Sequence, residues 1–294
     1  MSYRSRKIIF YTIAILIPII FFVIFELILR IFHYRDNLSL ALTVEQNGVK
    51  FFQLNQDVGQ RYFVRTPKNL IPQLYPQTFE YKKSPQTFRI FLLGGSTMAG
   101  FPYELNARIN SLLEDRLMKY YPDKKIEVVN VGLSAINSFS VVDFVKELVD
   151  YEPDLFIVYM GHNEFYGAYG VGSVEGLGKH PAVIRTYLSL NKFKLFLLIR
   201  DIIQKVGGIW QKSPELTTDR TLMASMAQKK SIPLNSKDYL IARTYFTENL
   251  EKIIGITKKN NVPILISKIF SNLRGQKPFQ SLFSDTLSNE DRQT

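Results

Sequence analysis

The run FLLGGSTMAGF, residues 91 to 101, sets a serine and a threonine directly behind a string of apolar residues and two glycines. A hydroxyl held at the end of a buried strand is the raw material of a nucleophile. A serine that opens a helix also sits where backbone N–H groups favour developing negative charge. Two other turns carry matching chemistry: Asn130-Val131-Gly132 offers a flexible backbone amide, and Gly161-His162-Asn163-Glu164 a carboxamide. Together these are the parts of an acyl-transfer site. Ser96 would attack a carbonyl carbon, and N–H donors from Ser96, Gly132 and the Asn163 side chain would hold the oxyanion. Gly95, Thr97, His162 and Glu164 would line such a site. Each piece has an ordinary explanation as well, since serines cap helices, glycines turn chains and asparagines cap loops. Their conjunction at three strand ends carries the weight. A phosphate loop does not fit, because the Lys-Ser or Lys-Thr pair of that motif is missing.

The elements that would position these groups follow from hydrophobic pattern. TFRIFLL (87–93), IEVVNV (126–131), LFIVYM (155–160) and VPILIS (262–267) read as strands. Between them, residues 103–121, 140–151 and 236–260 read as helices, the first with Leu105, Ile109, Leu112, Leu113 and Leu117 on one face. Apolar strands alternating with helices predict a parallel sheet covered on both faces, an α/β domain whose crevice lies beyond the carboxyl ends of its strands. Residues 33–85, with Pro67, Pro72, Pro76 and Pro85, read as an irregular approach segment that packs on the domain of residues 86–294.

Ahead of these lies a different kind of segment. Residues 8–25 form an uncharged run of 18 residues, long enough as a helix to cover roughly 27 Å, close to a hydrocarbon core. The predicted anchor covers 8–32, behind a stub of residues 1–7. Neither the short apolar core nor the small-residue site of a cleavable signal peptide is present. Arg4, Arg6 and Lys7 ahead of the span favour a cytoplasmic N-terminus, with the rest of the chain outside.

The chain has 294 residues, 46% of them hydrophobic, and no cysteine, which excludes a disordered chain, a disulfide framework and a thiol nucleophile. The net charge of +11 is carried by a late region: Lys179 to Lys277 holds 18 basic and 6 acidic residues. These are scattered, without glycine-arginine repeats or an RNA-binding motif, so no nucleic-acid partner is expected and a solvated basic face near anionic headgroups fits better. No cofactor is called for. Within this region residues 181–210 place Leu195, Ile199, Ile202, Ile203 and Val206 on one helical face and Arg200, Gln204 and Lys205 on the other, closed by Trp210. Two readings stay open for it: a helix packed on the sheet, or an interfacial helix over 188–210 beside the anchor.

On three motifs the chain resembles the SGNH or GDSL hydrolases: FLLGGSTMAG matches their serine block with Ser96, VVNVGLSAINS their glycine block with Gly132, and GHNE their Gly-x-Asn block with Asn163. The resemblance covers residues 87–275. It is most specific in DFVKELVDYEPDLFIVYMGHNEFYGAYGVGS, which looks like a membrane-anchored subgroup often carrying tetratricopeptide repeats. It implies a flavodoxin-like three-layer sheet and a serine hydrolase acting on ester bonds, an esterase or deacylase of an acylated envelope glycan or lipid in a bacterial cytoplasmic membrane. An O-acyltransferase using the same site and a non-catalytic membrane-tethered binding module are the alternatives.

Gly95 and Glu164 stand where the family more commonly has Asp. The family's base comes from an Asp-x-x-His motif after a fifth strand, and this sequence contains neither. Of its three histidines, His33 falls at the membrane boundary, His162 lies inside the third motif, and His180 could serve only as a substitute base. The expectation is a chain that stops short of its natural end and turns over weakly.

Overall fold

A computed structural model describes residues 3–35, 37–103, 105–176, 180–208, 231–270 and 274. The chain clusters into two units, residues 1–38 with 186–214, and 39–185 with 215–294. Trp210, the turn at 271–279 and the polar tail after it lie outside the described residues, apart from Arg274.

The first unit is built on helix α1 (Tyr3–Ile31), none of whose residues is buried. Its mean hydropathy over the best window is 3.0, and it is long and apolar enough to cross a membrane. An apolar surface exposed all round has no core to face, which is the signature of a helix meant for lipid or for removal as a signal sequence. The segment predicted as one helix over 188–210 is divided. One helix ends at Leu190, the next starts at Lys194 and runs to Gly208, and a turn donates Phe193 N–H to the Leu190 carbonyl oxygen. Of the apolar face named for this segment, Ile199, Ile202, Ile203 and Val206 are 47%, 51%, 64% and 57% exposed. Arg200, expected on the solvent side, is buried and donates to the Asn191 side chain at 3.2 Å and to the Tyr187 hydroxyl at 3.2 Å.

The second unit is α/β. Strands β4 (Thr87–Gly94), β5 (Lys125–Asn130), β6 (Leu155–Tyr159) and β7 (Ile264–Ile266) form one sheet in the order β5-β4-β6-β7, and every pair is parallel. Counted along the chain this is 2-1-3-4, the opening of the flavodoxin-like order. Alternate residues of β4 serve opposite faces, as a strand must. Ile90 and Leu92 join Met98, Ile126 and Val128 in a cluster against Leu113 and Leu117, while the Phe91 ring meets Phe79 and Phe156. The helix predicted over 103–121 is shorter: a 3-10 turn at Leu105–Ala107 precedes Ile109–Tyr120, with Ile109 and Leu112 exposed. Leu113 and Leu117, one turn apart, pack against that cluster. The helix Ser138–Leu148 is buried along almost its whole length.

Residues 33–85 are irregular only in part. Strands β1 (Ala41–Gln46), β2 (Val49–Leu54) and β3 (Thr78–Glu80) form an antiparallel sheet in chain order. Its first hairpin turns at Asn47 and Gly48, whose φ of 51° and 76° give the two left-handed residues of a tight two-residue loop. Beyond it Arg61 pairs with Asp143 at 3.1 Å and Glu147 at 2.7 Å, and the Tyr62 hydroxyl donates to Asp143 at 2.8 Å. A buried cation with two carboxylates explains why so polar a stretch lies partly in the core.

Candidate active site

β4 ends at Gly94, and its last backbone groups hand over to a single helical turn, Ser96–Ala99, capped by Gly95 and closed by the left-handed Gly100. Ser96 is half-buried at the first position of that turn and Thr97 is exposed. In the 2-1-3-4 order the chain leaves β4 to one side and β6 to the other. The crevice between their carboxyl ends is therefore the place where such sheets bind ligands.

The turn after β6 brings Asn163 there. Its carboxamide nitrogen donates to the Ile136 carbonyl oxygen at 2.9 Å and lies 2.6 Å from where a Cβ on Gly95 would stand. One N–H thus holds the amide in place while the other is available beside the Ser96 turn. No side chain fits at position 95 unless Asn163 moves.

The turn after β5 approaches the same helix from the other side. A Cβ on Gly132 would meet the Ala99 nitrogen at 2.5 Å and the Met98 carbonyl carbon at 2.8 Å. The Gly132 N–H donates to Asn130 Oδ1 at 2.9 Å, and Asn130 Nδ2 donates to the Met98 carbonyl oxygen at 2.7 Å. Asn130 therefore ties the Gly132 turn to the helix that Ser96 opens. This tether has no motif of its own; the one signal for it is an asparagine directly after the apolar pair Val128-Val129 at the end of a strand.

Glu164 engages the start of the Ser138 helix with its carboxylate. It is buried, accepts from the Ser138 N–H at 2.7 Å and from the Ser138 hydroxyl at 2.8 Å, and that hydroxyl accepts from Asn249 Nδ2 at 2.9 Å. Burial pushes its carboxyl up to about 7, against the pull of the two Ser138 donors. The Asn163 turn is thereby pinned to the start of the Ser138 helix and to the helix Lys237–Lys259. His162 is exposed, with its ring edge-on to Tyr159 and Nε2 3.4 Å from the Phe270 carbonyl oxygen. His180 is exposed at the start of the helix Pro181–Leu190, where its carbonyl oxygen accepts from Val183 and Ile184. Among the described residues none of the three histidines hydrogen-bonds Ser96.

A cleft of about 480 Å³ is lined by Ala99, Gly132 and Asn130 together with Tyr75, Tyr103 and Arg108. The Arg108 guanidinium lies 4.4 Å from the Tyr75 ring centre. The cleft therefore offers an aromatic wall and a cation beside the turn groups.

The chain matches no protein-family model and no curated protein. Solved structures that resemble it include AlinE4, an SGNH-hydrolase family esterase, at 16% identity over 62% of this chain and 77% of that one, with a TM-score of 0.26. TesA is similar at 16% identity over 60% and 76%, TM-score 0.28. The psychrotrophic esterase EstA from Pseudoalteromonas sp. is similar at 16% identity over 61% and 76%, TM-score 0.29.

Proposed function

We propose that this protein is a membrane-anchored serine hydrolase of the SGNH type, acting on ester bonds. One observation carries the reading: the turns after β4 and β6 meet at the crevice of the sheet, with the Asn163 carboxamide against Gly95, next to Ser96. Ser96 Oγ would attack the acyl carbonyl carbon while its proton passes to a base. The Ser96 N–H and the second Asn163 N–H would take the oxyanion, joined by the Gly132 N–H once it exchanges from Asn130. The C–O bond to the alcohol then breaks, the alcohol leaves with the proton, and water releases the acid from the acyl-enzyme. The cleft with Tyr75, Tyr103 and Arg108 suits the alcohol part of an acylated envelope glycan or lipid. With α1 in the cytoplasmic membrane, Arg4, Arg6 and Lys7 before the span favour a cytoplasmic N-terminus and an α/β unit on the outer side.

Transfer of the acyl group to a sugar hydroxyl uses the same first half-reaction, and a tethered binding module would use the cleft alone. The test is hydrolysis of p-nitrophenyl acetate by the full chain in detergent, with imidazole supplied as an external base because the sequence holds no Asp-x-x-His. Imidazole-stimulated release that Ser96→Ala abolishes supports the serine enzyme. Stimulation by a glycan acceptor, with acylated glycan as product, would favour the transferase. Release identical in wild type and Ser96→Ala would leave the binding module.

A further inference from the structure

Helix α6, Lys194–Gly208, exposes Ile199, Ile202, Ile203 and Val206 among the described residues although the helix itself is tightly held. (α2 to α5 are Ser96–Ala99, Ile109–Tyr120, Ser138–Leu148 and Pro181–Leu190.) The hold comes from the last turns of α1. Glu26 accepts from the Lys194 N–H at 3.0 Å and from the Leu195 N–H at 2.7 Å, so a residue of the apolar helix caps the N-terminus of α6. Arg30 bridges Glu26 at 2.8 Å and donates to the Lys192 carbonyl oxygen at 3.1 Å. One turn further, Asp201 accepts from the Tyr34 hydroxyl at 2.8 Å and from Arg35 Nε at 2.6 Å, and Lys194 Nζ donates to the Arg35 carbonyl oxygen at 2.9 Å. Six polar side chains thus fix α6 to the end of the apolar helix, where a spanning segment would leave the hydrocarbon.

What is held there is amphipathic. At 100° per residue Ile199, Ile202, Ile203 and Val206 fall within roughly 100° of arc, and Leu197 and Arg200 lie on the far, buried side. The exposed Lys192 and Lys205 supply positive charge. A rigid apolar stripe with basic neighbours, continuous with a segment fit for lipid, has one natural cover.

We infer that α6 is an interfacial helix that lies with Ile199, Ile202, Ile203 and Val206 in the acyl boundary of the membrane, so that the protein enters the bilayer through two elements joined by Glu26 and Asp201. This rests on the reading of α1 as a membrane span. It does not depend on the chemistry at Ser96.

The absence of native cysteine allows a direct test. Single cysteines at Ile203 and, separately, at Ile13 in α1 are labelled with a fluorophore in the full chain, reconstituted in vesicles of phosphatidylethanolamine and phosphatidylglycerol brominated along the acyl chains. The expected result is quenching of both labels by about twofold or more, with residue 203 shielded from aqueous iodide. Ile202→Cys repeats the reading at a second exposed position. Quenching at 13 with free iodide access at 203 overturns the inference and leaves the span intact. Loss of quenching at 13 as well overturns both. A label at 203 shielded from iodide yet untouched by bromine marks a second copy or another protein as the cover, and also overturns it.

Discussion

The Asn163 carboxamide nitrogen stands 2.6 Å from the point that a Cβ on Gly95 would occupy. This contact joins the turn after β4 to the turn after β6 and decides what position 95 tolerates. Gly95→Ala should leave the sheet folded and move the carboxamide away from Ser96. Loss of one oxyanion donor costs about a hundredfold in rate. Gly95→Ala and Asn163→Ala should therefore both slow labelling of Ser96 by a fluorophosphonate to about that extent, with circular dichroism unchanged. Full labelling of Gly95→Ala would mean that the amide has no part in the site.

Asn130 separates two functions of one side chain. Asn130→Asp keeps the acceptor for the Gly132 N–H but removes the donor to the Met98 carbonyl oxygen, leaving a buried acceptor unpaired at a cost of about 1–3 kcal/mol. Asn130→Ala loses both contacts and, like the aspartate, the donation to Asn110 Oδ1 at 3.3 Å. The aspartate variant should fall between wild type and alanine in denaturant midpoint, and both should label more slowly than wild type.

Glu164 and Glu80 give stability two opposing limbs with pH. The folded state raises the Glu164 carboxyl from an ordinary value near 4.5 to about 7, so its favourable contribution is complete below 4.5 and is lost as pH rises to 7. At about 1.4 kcal/mol per pKa unit the loss is about 3 kcal/mol. Glu80 runs the other way. Burial alone would raise it, but the Lys125 ammonium, the Ser84 N–H and the Thr87 hydroxyl hold it down to about 2, so its contribution is lost as pH falls from 4.5 to 2. Urea unfolding across pH should show both limbs, and Glu164→Gln should flatten the one between 4.5 and 7 alone.

Gly48 tests conformation without packing. A Cβ there meets nothing within 4 Å, yet its φ is +76°. Gly48→Ala should cost about 1–2 kcal/mol through the left-handed backbone alone. Gly48→Asn should cost less, since asparagine visits that region more readily. Equal losses in thermal melting would point to a hydrogen bond of the turn instead.

The strand β4 was legible because both of its faces are covered, so it reads as a run of apolar residues; it extends one residue past its predicted end, while β5 is shifted by one residue at both ends and the short β7 keeps Leu265 and Ile266 exposed. The antiparallel sheet was hidden by its half-exposed strands, although Asn47-Gly48 between two strand-like runs is a hairpin signal that could have been taken. The break at 191–193 has no glycine or proline to announce it. It depends on Glu26, more than 160 positions away, capping Lys194 and Leu195. Pattern also misplaced Arg200, whose burial is set by Asn191 and Tyr187 rather than by helical period. At the candidate site the turn residues stood out as types at strand ends. The Asn130 tether and the Glu164-Ser138-Asn249 chain did not, because a side-chain hydrogen bond across 26 or 111 positions leaves no periodic trace.

The central claim is that Ser96 is a nucleophile, and covalent capture tests it most directly. The full chain in detergent is incubated with an alkyl fluorophosphonate and digested, and the adduct is located by peptide mass. The expected result is a single phosphonyl adduct on Ser96, absent from Ser96→Ala and slowed in Asn163→Ala. An adduct elsewhere that survives Ser96→Ala, or no adduct in a chain that melts cooperatively, would contradict it.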